Sequence, residues 1–440
     1  MNILFRADSS SIIGTGHIVR DLVLAKREFK DDNIIFAVQD LKGNINNKII
    51  EAGYKIELLK SNDIKELDEV IKKYNIDMIV IDHYDIDNKY EKQLKTQNSK
   101  LKILSFDDTY EKHYCDILLN HNIYADEKRY KGLVPKYCEL RCGKKYTLLR
   151  EEFIKEKAIK REKIYDIFIA MGGADSKNLN IQLLEIIPSY FKIALVTTTA
   201  NTNLKELQSY IKEKSYVKLY INSYKIAKLI NQSKFAIITP SVVANEIFFM
   251  ELPFLAIKTA NNQDEMYRYL LKHNYKVVDK FEEEKIKKLS VELINFIDLS
   301  YDEKVEILSW RNHPYIRKWM FDKEIISLED HLFYIDLLKE KKDRVYFAVK
   351  QYGQFVGVIS FTSIDLKNLK AEIGLYAKPT LKGVGKLLMQ NILEYGFDKL
   401  KLKKLVSKVF EDNFSAIKLY KKFNFEKVDK NFKKNLLIFS

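Results

Sequence analysis

Short apolar runs recur along the first part of the chain, each followed by a stretch whose apolar residues keep helical spacing. "NILFRAD" leads into a helical pattern over 15–29, and "NIIFAVQD", "DMIVIDHYD", "LKILSFDD" and "CDILLNHN" continue the rhythm. Strands that recur with helices between them predict a parallel sheet covered by helices on both faces. After "KYTLLREEF" and the charged stretch 154–164 the rhythm restarts with "IYDIFIAMGGAD", "KIALVTTTA", "YVKLYIN", "KFAIITPS" and "LPFLAIKT". A chain of 440 residues is too long for one hydrophobic core. The repeat therefore predicts two Rossmann-like α/β domains, over 1–154 and 155–289, with a cleft between them.

From residue 290 to 440 the pattern changes. "SYDE" (Ser300 to Glu303) and "SLED" (Ser327 to Asp330) each read as the start of a helix, the first as a full capping box. "RVYFAVKQYGQFVGVISFTSI" reads as a hairpin turning at Tyr352–Gly353, and "KAEIGLYAK" as a third strand. Consecutive strands with helices added predict an α+β domain on an antiparallel sheet.

The formal net charge of +14 raises the question of a nucleic-acid partner. The lysines argue against one, because they are spread through the chain and interleaved with glutamates, as in "EEEKIKKL" (282–289), with no stripe of arginine and aromatic residues. A modest positive field does favour anionic substrates such as nucleotides. No apolar run approaches the roughly 20 residues that span a bilayer, and the N-terminus lacks the order of a signal peptide. A soluble cytoplasmic protein is expected, with no membrane partner. Cys115, Cys138 and Cys142 form no even framework and have no second ligand pair nearby, so they read as reduced thiols and not as a metal site.

In "IGTGHIVRDLVLA" (13–25) two glycines hand a strand over to a helix around a lone histidine. Gly14 and Gly16 permit a tight turn and close approach of a ligand, while Ile18, Leu22, Ala25 and Phe29 carry the helical spacing. His17 thus falls in the first helical turn, facing the carboxyl ends of the strands, where open parallel sheets bind ligands. The positive end of the helix disfavours imidazolium, and a neutral imidazole accepts a proton from water. A plain polar surface histidine remains the alternative on spacing alone.

"FRADSSSIIGTGHIVRDLVLA", "VIDHYDID" (80–87), "FDD" with "CDILLNHN", "MGGADSKN" (171–178) and "TPSVVANEIFFMELPFLAIKTANNQ" (239–263) together resemble the UDP-sugar hydrolases of pseudaminic acid biosynthesis. That resemblance covers about residues 1–288. It implies two Rossmann domains in a glycosyltransferase-B-like arrangement, hydrolysis of UDP-2,4-diacetamido-2,4,6-trideoxy-β-L-altropyranose to UDP and free sugar, and His17 as the base that activates water. Gly172 and Gly173 would offer backbone N–H groups to phosphate, as would the helix beginning near Ser241, which also reads as an N-cap. Glu246 would accept from the UDP ribose, Asn262 and Gln263 would hold the sugar, and Tyr84 would touch it from the N-terminal side. All but Tyr84 have a bland alternative: a glycine turn, a cap, a solvated glutamate, a polar loop. "DID" (Asp85 to Asp87) matches a metal-binding DxD pattern, but at a strand-to-helix transition aspartates commonly cap the helix, and no metal is expected.

In the last region "EIGLYAKPTLKGVGKLLMQNILEYGF" sets Gly383-Val384-Gly385 between a strand and a helix, and "VFEDNFSAIKLYKKFNF" (409–425) follows, with Asn413, Ala416 and Tyr420 on one helical face. With "LSWRNHPYIRKWM" upstream, this resembles GNAT-type N-acetyltransferases, and more narrowly those that acetylate the 4-amino group of the same UDP-sugar. The resemblance implies acetyl-CoA as co-substrate, its pyrophosphate on the backbone of Lys382, Gly383, Val384, Gly385 and Lys386, and Asn413 beside it. Tyr420 would protonate the departing thiolate, and Glu372 would take a proton from the attacking amine through water. Two positions depart from the superfamily: Thr380 opens the Q/R-x-x-G-x-G/A loop, and Asn424 replaces the glycine before the last phenylalanine.

The two activities are consecutive, since N4-acetylation makes the substrate that hydrolysis consumes. A nucleotide-sugar glycosyltransferase joined to a protein N-terminal acetyltransferase is the alternative. The oligomeric state is not legible.

Overall fold

The computed structural model describes residues 1–431 and 436–440. It divides into two compact units, Met1–Ile286 and Lys287–Ser440.

The first unit carries two parallel sheets. One is built of β1 (Asn2–Ala7), β2 (Asn33–Gln39), β3 (Lys55–Leu59), β4 (Met78–Asp82), β5 (Lys102–Phe106), β6 (Ile117–Asn120) and β7 (Glu139–Cys142), in the order β3-β2-β1-β4-β5-β6-β7. The other holds β8 (Tyr165–Ala170), β9 (Ile193–Thr197), β10 (Val217–Ile221), β11 (Ser233–Ile238), β12 (Phe254–Ile257) and β13 (Lys276–Val278), in the order β10-β9-β8-β11-β12-β13. Both orders reverse direction beside the first strand, the doubly wound pattern in which ligands bind at the carboxyl edge.

Alternation within a strand explains why the runs are apolar throughout. Ile3, Phe5 and Ala7 of β1 enter one core with Phe36 and Ile18, while Leu4 enters the opposite core with Ile35 and Ile79. Each such fully buried aliphatic or aromatic side chain contributes about 1.5–3 kcal/mol. The helix Gly16–Glu28 lays Ile18, Leu24 and Ala25 on the first of these cores, within the predicted span.

Strands β3, β7 and β13 are not among the predicted runs. β3 ("KIELL") and β7 ("ELRC") carry charges because they are edge strands, and β13 is only three residues long.

The second unit is a sheet of β14 (Val291–Asn295), β15 (Val345–Gln351), β16 (Gln354–Asp365), β17 (Lys370–Ala377), β18 (Lys404–Phe410), β19 (Lys427–Asn431) and β20 (Leu436–Phe439) among the described residues. The predicted hairpin turns where expected, with Tyr352 and Gly353 at φ 47° and 70°. Ser300 accepts from the Glu303 N–H at 3.3 Å while Glu303 accepts from the Ser300 N–H at 2.9 Å, the reciprocal box read from "SYDE". The Ser327 hydroxyl caps its helix by accepting from Asp330 N–H at 3.0 Å.

The sheet is not antiparallel throughout, as had been expected. β17 and β18 run parallel because the helix Gly385–Leu393 and the turns after it cross between them. Their pairing covers only Lys370–Lys404, Ala371–Leu405 and Glu372–Val406, after which the two strands part.

Candidate functional site

At the carboxyl edge of the first sheet, three strands each run into an aspartate: β1 into Asp8, β4 ends on Asp82, and β5 runs into Asp107 and Asp108. Ahead of the helix Gly16–Glu28 the chain makes a tight loop closed by Ser10 and Gly14, whose N–H and C=O groups bond each other at 3.2 and 2.8 Å. Gly14 requires its φ of +87°, and a side chain at Gly16 would meet nothing within 4 Å, so the backbone there is open to approach.

This loop delivers His17 onto Asp82. The imidazole Nδ1 lies 2.7 Å from Asp82 Oδ1 and 3.1 Å from the Asp82 carbonyl. Both neighbours are acceptors, so Nδ1 carries a hydrogen; Nε2 has no partner among the described residues. The ring is 7% exposed, which sets aside the surface reading, and packs edge-on against Tyr84 at 4.9 Å. Asp82 is in turn gripped by Arg20, whose Nε reaches Oδ2 at 2.5 Å and whose Nη2 reaches Oδ1. Burial alone would raise the Asp82 carboxyl; the Arg20 and His17 contacts overcome it and hold the group far below the usual carboxylate range. Arg20 Nη1 also meets Asp108 Oδ2 at 3.2 Å, and the half-exposed Tyr84 donates to the same oxygen at 3.0 Å.

The second sheet presents the other candidates. Gly172 has φ +82° and open space where a side chain would be, whereas a side chain at Gly173 would strike Thr198 Oγ1 at 2.9 Å. Gly173 is thus required by a close protein contact. Ser241 occupies the N-cap position of the helix Val242–Met250 but does not cap it; its hydroxyl pairs with Thr239 Oγ1 at 3.0 Å, leaving the helix N–H groups free of side-chain capping.

Glu246 is buried and not solvated. Arg150 Nε and Nη2 both bond its Oε1, at 3.0 and 2.9 Å, and leave Oε2 uncommitted. Burial raises the Glu246 carboxyl, and Arg150 opposes the shift. Gln263 turns its amide inward, with Oε1 accepting from Thr259 N–H at 2.8 Å, while Asn262 beside it is exposed. Asp87 accepts from the N–H groups of Lys89 and Tyr90 at 3.1 and 3.0 Å, so the "DID" motif ends in a helix cap. Among the described residues no cluster of three or more metal-ligating side chains forms.

Two amide contacts join the sheets of this unit: Asn245 donates to Asn122 Oδ1 at 3.1 Å, and Ile123 N–H donates to Asn245 Oδ1 at 3.3 Å.

In the second unit the parting of β17 and β18 opens a cleft of about 920 Å³. Gly374, Tyr376, Gly383, Gly385, Lys386 and Asn413 are among its lining residues. Gly383 needs φ +83° and would bring a side chain into open space; a side chain at Gly385 would press on Leu419 Cδ2 at 3.1 Å, so that glycine seats two helices together. Val384 is buried beneath the loop, and Lys382 and Lys386 are exposed. Asn413 caps the helix Phe414–Lys422, accepting from Ala416 N–H at 3.2 Å.

Tyr420 lies in the cleft wall, 5% exposed, stacked on Phe439 at 5.8 Å. Burial pushes its phenol upward, against the lowering effect of Ser407. Glu372 also lines the cleft, with its carboxylate 2.5 Å from Lys408 Nζ.

One half therefore has the edge of a doubly wound nucleotide-binding fold armed with an aspartate-anchored histidine, and the other has the split sheet of an acyl-group transferase. The acetyltransferase (GNAT) family profile matches residues 305–425. The chain is 44% identical over 281 residues to the UDP-2,4-diacetamido-2,4,6-trideoxy-β-L-altropyranose hydrolase of Campylobacter jejuni, a match spanning 64% of this chain and 100% of that protein. It is 43% identical over 141 residues to the acetyltransferase PseH of Campylobacter jejuni, covering 32% of this chain and 88% of the relative. The crystal structure of Campylobacter jejuni PseH with acetyl coenzyme A aligns at 36% identity and a TM-score of 0.29, over 34% of this chain and 96% of that one.

The chain belongs to both families, as a fusion of the hydrolase and the PseH-like acetyltransferase. It is an enzyme of both kinds.

Sequence reasoning assigned His17 but missed Asp82, Arg20 and Asp108. The recurring signal was an apolar strand ending in aspartate, as in "FRAD", "IVID" and "SFDD", with Arg20 one helical turn beyond His17.

Proposed function

We propose that this chain carries out two consecutive steps on one UDP-sugar. The acetyltransferase half transfers an acetyl group from acetyl-CoA to N4 of the UDP-4-amino-sugar. The hydrolase half then cleaves the product, UDP-2,4-diacetamido-2,4,6-trideoxy-β-L-altropyranose, to UDP and free sugar. Domain limits of 1–154, 155–289 and 290–440 fit this division, with the first two facing each other in a glycosyltransferase-B-like way. The cytoplasm is where we propose the enzyme works.

The observation that carries the hydrolase reading is the His17–Asp82 contact of 2.7 Å. Asp82 fixes the tautomer, so Nε2 removes a proton from water as the water oxygen attacks the anomeric carbon and the bond to UDP breaks. Asp82 then lies against the positive charge that the ring has gained. UDP is already a good leaving group, so hydrogen-bond donors for its phosphate serve better than a strong acid. The Gly172 turn and the uncapped start of the Val242–Met250 helix are the candidates, with the free Oε2 of Glu246 accepting from the ribose. Tyr84, Asn262 and Gln263 would contact the sugar.

In the other half the split sheet and the open side of Gly383 fit an extended thioester carrier, with Lys382 to Lys386 at its pyrophosphate and Asn413 alongside. Tyr420 gives its proton to the departing sulfur, a role that suits a phenol kept protonated by burial. Glu372, paired with Lys408, receives the amine proton through water.

Incubating the full chain with acetyl-CoA and the UDP-4-amino-sugar, while following CoA and UDP separately, tests both steps. CoA release followed by UDP release with water alone is expected. UDP release only with an added acceptor would identify a glycosyltransferase, and CoA release only with a peptide amine would identify a protein acetyltransferase.

A further inference from the structure

The sulfurs of Cys115 and Cys138 lie 3.6 Å apart in the first unit. Cys115 comes two residues before β6 and Cys138 immediately before β7; these strands pair in register from Ile117–Glu139 onward. The two thiols therefore meet at the amino ends of adjacent strands, at the edge of the sheet opposite His17, where neither proposed reaction uses them.

Their surroundings are unequal. Cys115 is 1% exposed, and Cys138 is partly open to solvent. The hydrogen bond from Cys115 draws the Cys138 thiol below its ordinary value, against burial and Asp116, with a contribution from His113. The same contact, with burial, holds Cys115 up as a thiol. His113 is 9% exposed and its Nε2 has no partner among the described residues. Burial would pull His113 down, but Glu91, 2.8 Å from its Nδ1, prevails and raises it. An accessible, activated sulfur beside a buried, protonated one is the division of labour of a nucleophilic and a resolving thiol.

We propose that Cys115 and Cys138 form a redox-active dithiol that reacts with hydroperoxides. The Cys138 thiolate attacks the terminal peroxide oxygen; the O–O bond breaks, the sulfur becomes a sulfenic acid, and the leaving hydroxide or alkoxide takes up a proton. The Cys115 sulfur then attacks the Cys138 sulfur; the S–O bond breaks, the disulfide forms, and the Cys115 proton leaves with hydroxide as water. Two thiols lose two electrons, and the peroxide gains them. A low-molecular-weight dithiol reverses the step by exchange. The link closes a loop that contains β6, Asn122 and Arg129, and constrains the unfolded chain accordingly.

The full-length reduced chain is treated with hydrogen peroxide, alkylated, and mapped by mass spectrometry without reduction. Free thiols should fall from three to one, with a Cys115–Cys138 cross-link that dithiothreitol removes. Cys142→Ser should keep the cross-link. Cys115→Ser should leave a Cys138 sulfenic acid that dimedone labels, and Cys138→Ser should abolish both products; UDP release by each serine variant reports that it is folded. A cross-link through Cys142, equal reactivity of all three thiols, or no oxidation of Cys138 ahead of the others would overturn the proposal.

Discussion

His17 and Asp82 meet at 2.7 Å although 65 residues separate them, because β1 and β4 are parallel neighbours whose carboxyl ends align, Ala7 opposite Asp82. The loop after β1 returns the imidazole onto the last residue of β4, so ring orientation is set by the sheet.

Asp82→Asn should expose the value of that orientation. An asparagine amide can donate to Nδ1, which moves the ring hydrogen to Nε2 and removes the base. UDP release is expected to fall by about 10³–10⁴-fold, as in other histidine sites that lose their tautomer partner. His17→Phe should abolish it. Acetyl transfer by both variants, followed as CoA release, should be unchanged.

Glu246→Gln separates binding from chemistry. Arg150 engages only Oε1, and the ribose contact is assigned to Oε2. Loss of one charged hydrogen bond should raise KM for the UDP-sugar about tenfold with little change in kcat. A fall in kcat at unchanged KM would contradict the assignment.

Tyr420→Phe should lower acetyl transfer by about 10²–10⁴-fold while leaving acetyl-CoA affinity, measured by calorimetry, nearly intact. The ring still stacks on Phe439, so thermal stability should hardly move.

His121 should make the first unit acid-sensitive. Burial, aided by the Arg20 charge, pulls its imidazole down to about 3, and both ring nitrogens lack partners among the described residues. The unfolded chain binds a proton near pH 6.5 that the folded chain refuses, so stability is complete above that pH and falls as pH drops toward 3. The loss approaches about 1.4 kcal/mol per pH unit. Thermal unfolding at pH 7.5 and 5.5 should show a smaller drop for His121→Gln than for the parent chain.

The rhythm of apolar runs was enough to read the two doubly wound sheets, since strands buried on both faces leave no other pattern. Edge strands such as β3 and β7 escaped because an edge tolerates charge. The parallel pairing of β17 with β18 escaped for a different reason: a three-residue contact leaves almost no trace in composition. In the site, His17 stood out through its glycines, but its partners come from β4 and β5, and only the aspartate closing each run hinted at them. Ser241 sat at a helix start as read, yet its hydroxyl pairs with Thr239 Oγ1 in place of the helix N–H groups, a choice between two short-range partners that sequence does not resolve.

The seam left unzipped between β17 and β18 leaves the second unit a lock that a seated ligand would complete. Any molecule seated there binds only the folded form, and at a hundred times its dissociation constant it would add about 2.7 kcal/mol to unfolding. A cell's supply of acyl donor would then govern the lifetime of this half of the protein as well as its turnover.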